Sequence, residues 1–155
     1  MALTDELKAS IGTIIEPVIM EIERGAIRRY AAAIDDPDPL FHDVEYARSS
    51  RYGEMICPPG FFGWPIKGAE LIEELGSLAP ALARAGFPRI LDGGVDFEFY
   101  LPVRAGDILT SYGKIADIRE RTGRTGTMIF SVFETTFINQ NGDLVAKRRA
   151  TIISR

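Results

Sequence analysis

TMIFSVFETTFINQNGDLVAKRRATIISR, residues 127–155, decides the fold class. Ile129, Phe133 and Phe137 share one side of a run rich in β-branched and aromatic residues, which predicts a long strand. Asn141-Gly142 predicts a type I′ hairpin, and LVAKRRATII (144–153) is the returning strand. On that strand Arg148 points opposite to Lys147 and Arg149, so the basic run is a solvated strand face and no continuous patch. Upstream, Val95, Phe97 and Phe99 alternate with Asp96, Glu98 and Tyr100. PVRAGD (102–107) predicts a turn, ILTSYGKIADI (108–118) a further strand and ERTGRTG (120–126) a loop. Residues 89–155 therefore read as almost all strand.

The first third is mixed. Val18, Met20 and Ile22 alternate with Ile19, Glu21 and Glu23, a short strand. GAIRRYAAAI (25–34) places Ile27, Tyr30, Ala31 and Ile34 at helical spacing, and Asp35-Asp36-Pro37 stops that helix. Residues 35–65 carry five of the nine prolines and cannot form one regular element. Within them Val44 to Ser49 predicts a helical turn, and Pro58-Pro59 a helix start. IKGAELIEEL (66–75) reads as the tail of that helix, with Ile66, Ala69, Leu71 and Leu75 mostly on one face. Long antiparallel strands following one buried helix predict an α+β fold with the sheet wrapped around the helix.

Composition bounds the function. A chain of 155 residues is one domain by length, and 46% hydrophobic with 26% charged residues is globular usage. The net charge of −4 is unclustered, which argues against nucleic acid or an anionic membrane as main partner. No apolar run reaches the ~18 residues of a membrane span. Cys57 is the single cysteine and cannot close an internal disulfide. With no apolar leader at the N-terminus, it leads to the expectation of a reducing, cytoplasmic setting. One histidine and one cysteine leave no Cys/His zinc cluster, and no metal or other cofactor is predicted.

Two features can carry chemistry. Asp35, Asp36, Asp38, His42, Asp43 and Glu45 lie close in sequence, and Asp with His can position a water and take its proton. Aspartates beside prolines equally serve as turn and helix caps. CPPGFFGWP (57–65) can present free backbone N–H groups to a developing oxyanion, or simply plug a core with Phe61, Phe62 and Trp64.

YAAAIDDPDPLFHDVEYA (30–47) resembles the hydratase motif of the MaoC-like, R-specific enoyl thioester hydratases and dehydratases, approximately G-D-x-N-P-[LI]-H-x-D-x-x-x-A. GGVDFEFYLPVRAGDIL (93–109) resembles that family's strand–turn–strand, and NGDLVAKRRATIISR (141–155) its final hairpin. The likeness covers 15–155 and is closest to the N-terminal-type MaoC dehydratase domains. It implies the hot dog fold, an antiparallel sheet wrapped around a long central helix, as a single domain over 1–155. It also implies an acyl-CoA or acyl-carrier-protein thioester as ligand. In active members an Asp and a His hold the water, and a backbone N–H at the start of the central helix polarises the thioester carbonyl.

Carried over residue by residue, the motif is altered. Asp36 takes the catalytic aspartate position, with Asp35 in place of the preceding glycine and Asp38 in place of asparagine. Pro39, Leu40 and Asp43 match, but the catalytic histidine position holds Phe41, and His42 follows one place later. Pro59, which has no N–H, stands where the oxyanion glycine is expected, and Gly60 supplies a donor only if the loop is shifted. The resemblance thus implies an accessory subunit that pairs with a catalytic MaoC-like partner. Phe41, Pro59, Gly60, Phe61, Phe62 and Trp64 would then bind the acyl chain. The alternatives are a self-sufficient homodimeric hydratase using Asp36 and His42, and an acyl-thioester-binding or thioesterase hot dog protein. A sheet edge left open predicts a dimer that continues the sheet, with either a second copy or a different subunit. Acyl length and the choice between the two carriers are not legible.

Overall fold

The structure is a computed structural model that describes residues 3–67, 75–76, 78–124 and 126–155. Six strands form one antiparallel sheet: β1 (Ile14–Glu21), β2 (Trp64–Lys67), β3 (Ile90–Phe99), β4 (Ile108–Gly123), β5 (Gly126–Ile138) and β6 (Leu144–Ser154). Their spatial order is β2-β1-β4-β5-β6-β3. Among the described residues four short helices accompany them: α1 (Asp5–Ala9), α2 (Arg24–Ala33), α3 (Val44–Ser49) and α4 (Leu78–Arg84). With a 3₁₀ turn at Pro39–Phe41, they complete an α+β architecture.

The period-two pattern sets the sheet's faces. On β5, Ile129, Phe133 and Phe137 turn inward and are buried, as the alternation predicts. The inner face carries two apolar clusters. Leu7 of α1 and Leu78, Ala81 and Leu82 of α4 cover Ile115, Ile118, Ile129 and Phe133. Ala26, Ile27 and Ala31 of α2, with Phe41, Phe61 and Phe62, cover Leu109 and Phe137. The helix read over 25–34 and the turn read over Val44 to Ser49 are both present, as α2 and α3. α1 went unread, although Thr4-Asp5-Glu6 is an N-cap pattern; Thr4 accepts the Leu7 N–H at 3.3 Å.

Three local expectations are corrected. Pro58 and Pro59 do not open a helix. They form a β-turn in which Phe61 N–H reaches the Pro58 carbonyl at 3.1 Å with Gly60 at φ +89°, the type II pattern. Gly63 follows at φ +78°, where a Cβ would sit 2.5 Å from the Glu21 carbonyl, so the chain passes β1 only as glycine. Residues 64–67 then pair with β1 as a strand, Glu21 against Trp64 and Ile19 against Lys67. The remainder of the predicted helix tail, 68–74, lies outside the described residues.

Second, most of ERTGRTG is paired strand, with Arg121 opposite Met128 and Gly123 opposite Gly126. The Thr122 and Thr127 hydroxyls meet across it at 3.1 Å. Third, the Asn141-Gly142 hairpin is not type I′. Gly142 is at φ +84°, but Asn141 is not at positive φ. Gly142 N–H closes on the Asn139 carbonyl at 3.0 Å, while the Asn139 side chain accepts Asn141 and Asp143 N–H groups. That side-chain support makes a longer loop with one left-handed glycine the better solution.

Candidate active site

The site has two halves, and α2 supports both. α2 ends in a Schellman motif: Asp36 N–H donates to the Ala31 carbonyl at 2.9 Å and Asp35 N–H to that of Ala32 at 3.2 Å. Asp35 takes φ +54°, the only non-glycine at positive φ among the described residues. Glycine suits this position best, which gives a physical reason for the glycine that the hydratase motif carries there.

The loop from Asp35 to Asp43 spends its aspartates on backbone amides. Asp36 Oδ1 accepts Asp38 N–H at 3.0 Å, and Asp38 Oδ1 accepts Leu40 N–H at 2.9 Å. Asp43 Oδ1 accepts the N–H groups of Glu45 and Tyr46 at 2.9 and 3.0 Å and caps α3. Phe41 is 6% exposed and belongs to the core under α2 and α3. His42 is half-buried, and its Nε2 lies 2.7 Å from the Asp36 backbone carbonyl oxygen. A carbonyl only accepts, so Nε2 is the donor in this contact. The imidazole thus staples the loop backbone and does not bond the Asp36 carboxylate. Arg28 Nε donates to the His42 carbonyl at 3.1 Å and ties the loop back to α2.

The second half runs from Glu54 to Trp64. Arg24 grips Glu54 through two bonds, Nε to Oε1 at 3.2 Å and a terminal nitrogen to Oε2 at 2.5 Å. The hydrogen bond from Arg24 holds the Glu54 carboxyl below its ordinary value. Met55 and Cys57 pair with Ala105 and Val103, each at 2.8 Å. Burial, with the Asp107 charge adding, pushes the Cys57 thiol up to about 12. It is therefore protonated at neutral pH and unsuited to nucleophilic catalysis.

At the turn, Pro59 is exposed and Gly60 half-buried. The Gly60 N–H takes no hydrogen bond among the described residues. The aromatic run then splits. Phe61 stacks on Tyr30 of α2 at 4.5 Å, and Phe62 stacks on Phe137 at 4.1 Å with Phe97 at 5.7 Å. Trp64 is 56% exposed and meets Phe61 edge-on at 5.8 Å.

The structure thus gathers Asp36, Phe41 and His42 in one loop and Pro59, Gly60, Phe61, Phe62 and Trp64 in the next. The two share the core cluster through Phe41, Phe61 and Phe62, with no hydrogen bond between them among the described residues. Sequence reading missed the role of Tyr30, which stacks on Phe61; its helical spacing marked it as apolar-face but not what it would meet. Among the described residues no group of three or more His, Cys, Asp or Glu could hold a metal ion. No helix among them is long and apolar enough to cross a membrane.

The sheet order and this pair of loops define a hot dog protein of the MaoC-like dehydratase class. A family model for the FAS1-like dehydratase domain region matches residues 9–148, and the chain belongs to that family. A UPF0336 protein of Parafrankia sp. (strain EAN1pec) is 34% identical over 140 residues, covering 89% of this chain and 86% of that one. A probable enoyl-CoA hydratase alpha subunit of Thermomonospora curvata is 26% identical over 79% of this chain and 41% of its own length. Among solved structures, the fold matches the ChsH1-ChsH2 complex of Mycobacterium tuberculosis with TM-score 0.75. That match is 17% identical and covers 98% of this chain and 92% of that one. The HadBC (3R-hydroxyacyl-ACP dehydratase) complex of the same organism matches with TM-score 0.68 at 23% identity, over 93% and 96% of the two chains.

Proposed function

We propose that this chain is the accessory, acyl-chain-binding subunit of an R-specific 3-hydroxyacyl thioester dehydratase or enoyl-CoA hydratase. On this reading it is one hot dog domain over 1–155 that works in the cytoplasm, in fatty acid metabolism. It needs no cofactor, and its partner is a MaoC-like subunit that carries the catalytic Asp and His. The single observation that carries the reading is Phe41. It occupies the catalytic histidine position of the motif and is buried in the core, where a phenyl ring can neither accept nor deliver a proton.

The heteromeric neighbours HadBC and ChsH1-ChsH2 support the partner, and the likeness to an enoyl-CoA hydratase subunit supports the ligand class. Phe41, Phe61 and Phe62 would form the apolar wall behind the acyl chain, with Trp64 at its exposed rim and Pro59 and Gly60 beside the thioester. The test is to assay the pure chain, and its mixture with a His-bearing MaoC partner, on an enoyl-CoA and on the acyl-carrier-protein thioester. Hydration by the mixture alone is expected; full activity from the pure chain overturns the accessory role.

One observation favours a second reading, the homodimeric hydratase. His42 lies against the Asp36 backbone carbonyl through Nε2 at 2.7 Å, and on this reading Nδ1 would act as the base. In that case the pure chain is active, and His42→Ala costs about 10²–10⁴ in rate.

A further inference from the structure

Sheet order gathers cations that the sequence keeps far apart. Arg89 and Arg155 exchange both backbone hydrogen bonds, each at 2.9 Å, so their side chains stand directly opposite on one face. Arg121 is opposite Met128, and Ser154 is opposite Ile129, which puts Arg155 beside Met128. The three arginines thus form one row across the ends of β3, β6, β5 and β4. Ile129 and Ser154 are buried, and strand alternation turns Met128 and Arg155 to the outer face. All three arginines are exposed. Next to them Leu91, Ile153 and Phe130 make a partly exposed apolar row across three strands. The Arg121 guanidinium lies over Phe130, 5.7 Å from the ring centre.

The acidic groups close by are turned elsewhere. Asp117 pairs with Arg119, and Glu120 points to the other face, where it accepts the Leu3 N–H at 2.9 Å. Arg89, Arg121 and Arg155 form no ion pair among the described residues. Like charges directly opposite are destabilising, so the Arg89–Arg155 pair costs the fold stability until an anion lies against it.

The dimensions choose the anion. Three strand spacings of ~4.8 Å separate Arg89 from Arg121, about 14 Å in all, more than a single phosphate group bridges. Three arginines fall short of the cluster of about four to eight that holds a protein to an anionic membrane. The net charge of −4 repels membrane and nucleic acid alike. An apolar floor rimmed by arginine is instead the make-up of a contact with another protein. Of the two thioester carriers left open above, only the protein has a surface of that width. We propose that this row docks the carboxylate-bearing face of an acyl-carrier protein, so that the thioester reaches the complex on a protein and not on CoA. The proposal rests on the accessory reading for where the acyl chain goes. Phe137, in the core under the site, is nine residues along β5 from Met128, about 30 Å, so a carrier docked here does not feed this chain's own loops. If the sheet continues antiparallel through β3 into a partner of the same fold, the Ile90 end of this chain lies beside the loop end of that partner.

The probe is an apo acyl-carrier protein, which lacks the thioester-bearing arm and so cannot be held by a cleft. Its binding to the pure chain is followed by the anisotropy of a labelled carrier at about 50 and about 500 mM NaCl. The wild type should bind it, and the Arg89→Ala/Arg121→Ala variant should bind about tenfold or more weakly at low salt. Arg29→Ala/Arg51→Ala, which removes two exposed arginines elsewhere, should bind as the wild type does. High salt should bring the wild type down toward the Arg89/Arg121 variant. No binding at about 1 mM, equal losses in the two double variants, or displacement of the carrier by an equal concentration of CoA overturns the proposal. If the alanine variant does not fold, Arg89→Gln/Arg121→Gln takes its place with the same expectation. No catalysis is read, so an inactive mixture with a His-bearing subunit would count against the function reading alone.

Discussion

The loop 35–43 and the turn 58–63 sit side by side over the same core cluster, yet they are held in different ways. The first is a web of side chains bonded to backbone: Asp36, Asp38 and Asp43 each satisfy amides, and His42 caps the Asp36 carbonyl. The second is held by backbone conformation and aromatic packing, with Gly60 and Gly63 at positive φ and Phe61 and Phe62 stacked on Tyr30 and Phe137. Polar residues that look catalytic can thus serve as scaffolding. On the accessory reading, such a framework would keep its shape with a core residue such as Phe41 at the catalytic position.

The two loops should therefore fail by different amounts. The largest effect is expected in the turn. Phe62→Ala removes a ring shared with Phe97, Phe99 and Phe137 and should cost about 3–5 kcal/mol in chemical denaturation. A loss near 1 kcal/mol would mean the stack is not the turn's support. In the other loop, Asp43→Ala frees the N–H groups of Glu45 and Tyr46 at the start of α3 and should cost about 1 kcal/mol, read the same way.

Asp35→Gly should act in the opposite direction. The left-handed position at φ +54° is relieved and the Schellman bonds are kept, so stability should rise by about 0.5–1 kcal/mol, seen as a higher Tm. A fall would show that the Asp35 side chain supports the loop in some further way.

Sequence reading reached these two regions unequally. Proline, aspartate and the helical spacing of 25–34 gave the end of α2 and the loop after it, because those signals act over a few residues. The sequence places Asp36, Phe41 and His42 in that loop by resemblance to the motif, and the structure brings the three together there. What the aspartates do was left open between capping and chemistry, and only the distances to Asp38, Leu40 and Glu45 assign them to amides. The turn misled, since Pro-Pro before an apolar run fits a helix start as well as a type II turn. The Gly63 contact with Glu21 that decides between them spans 42 positions in sequence. Likewise β3 and β5 show the same alternation of phenylalanines. Which of them is an edge depends on sheet order, and no local pattern encodes that.

The smallest expected effect is electrostatic. Arg24 lowers the Glu54 carboxyl from its ordinary 4.5, so the pair stabilises the fold above the unfolded value. That contribution is lost as pH falls through the lowered, folded one. Because the Arg24 side chain is 43% exposed, solvent screens the pair and the contribution is small. Acid titration of stability should show a shallower loss below about pH 4.5 in Glu54→Gln than in the wild type. Parallel curves would mean the pair is not formed in solution.

The measurement that bears most directly on the central claim is the effect of His42→Ala on hydration by the complex with a His-bearing partner, at saturating subunit and substrate. An accessory role, with His42 stapling the loop to the Asp36 carbonyl, predicts a kcat within about threefold of the wild type and a slightly less stable chain. A fall of about 10²–10⁴ in kcat would show instead that His42 is the general base and that this chain does the chemistry itself.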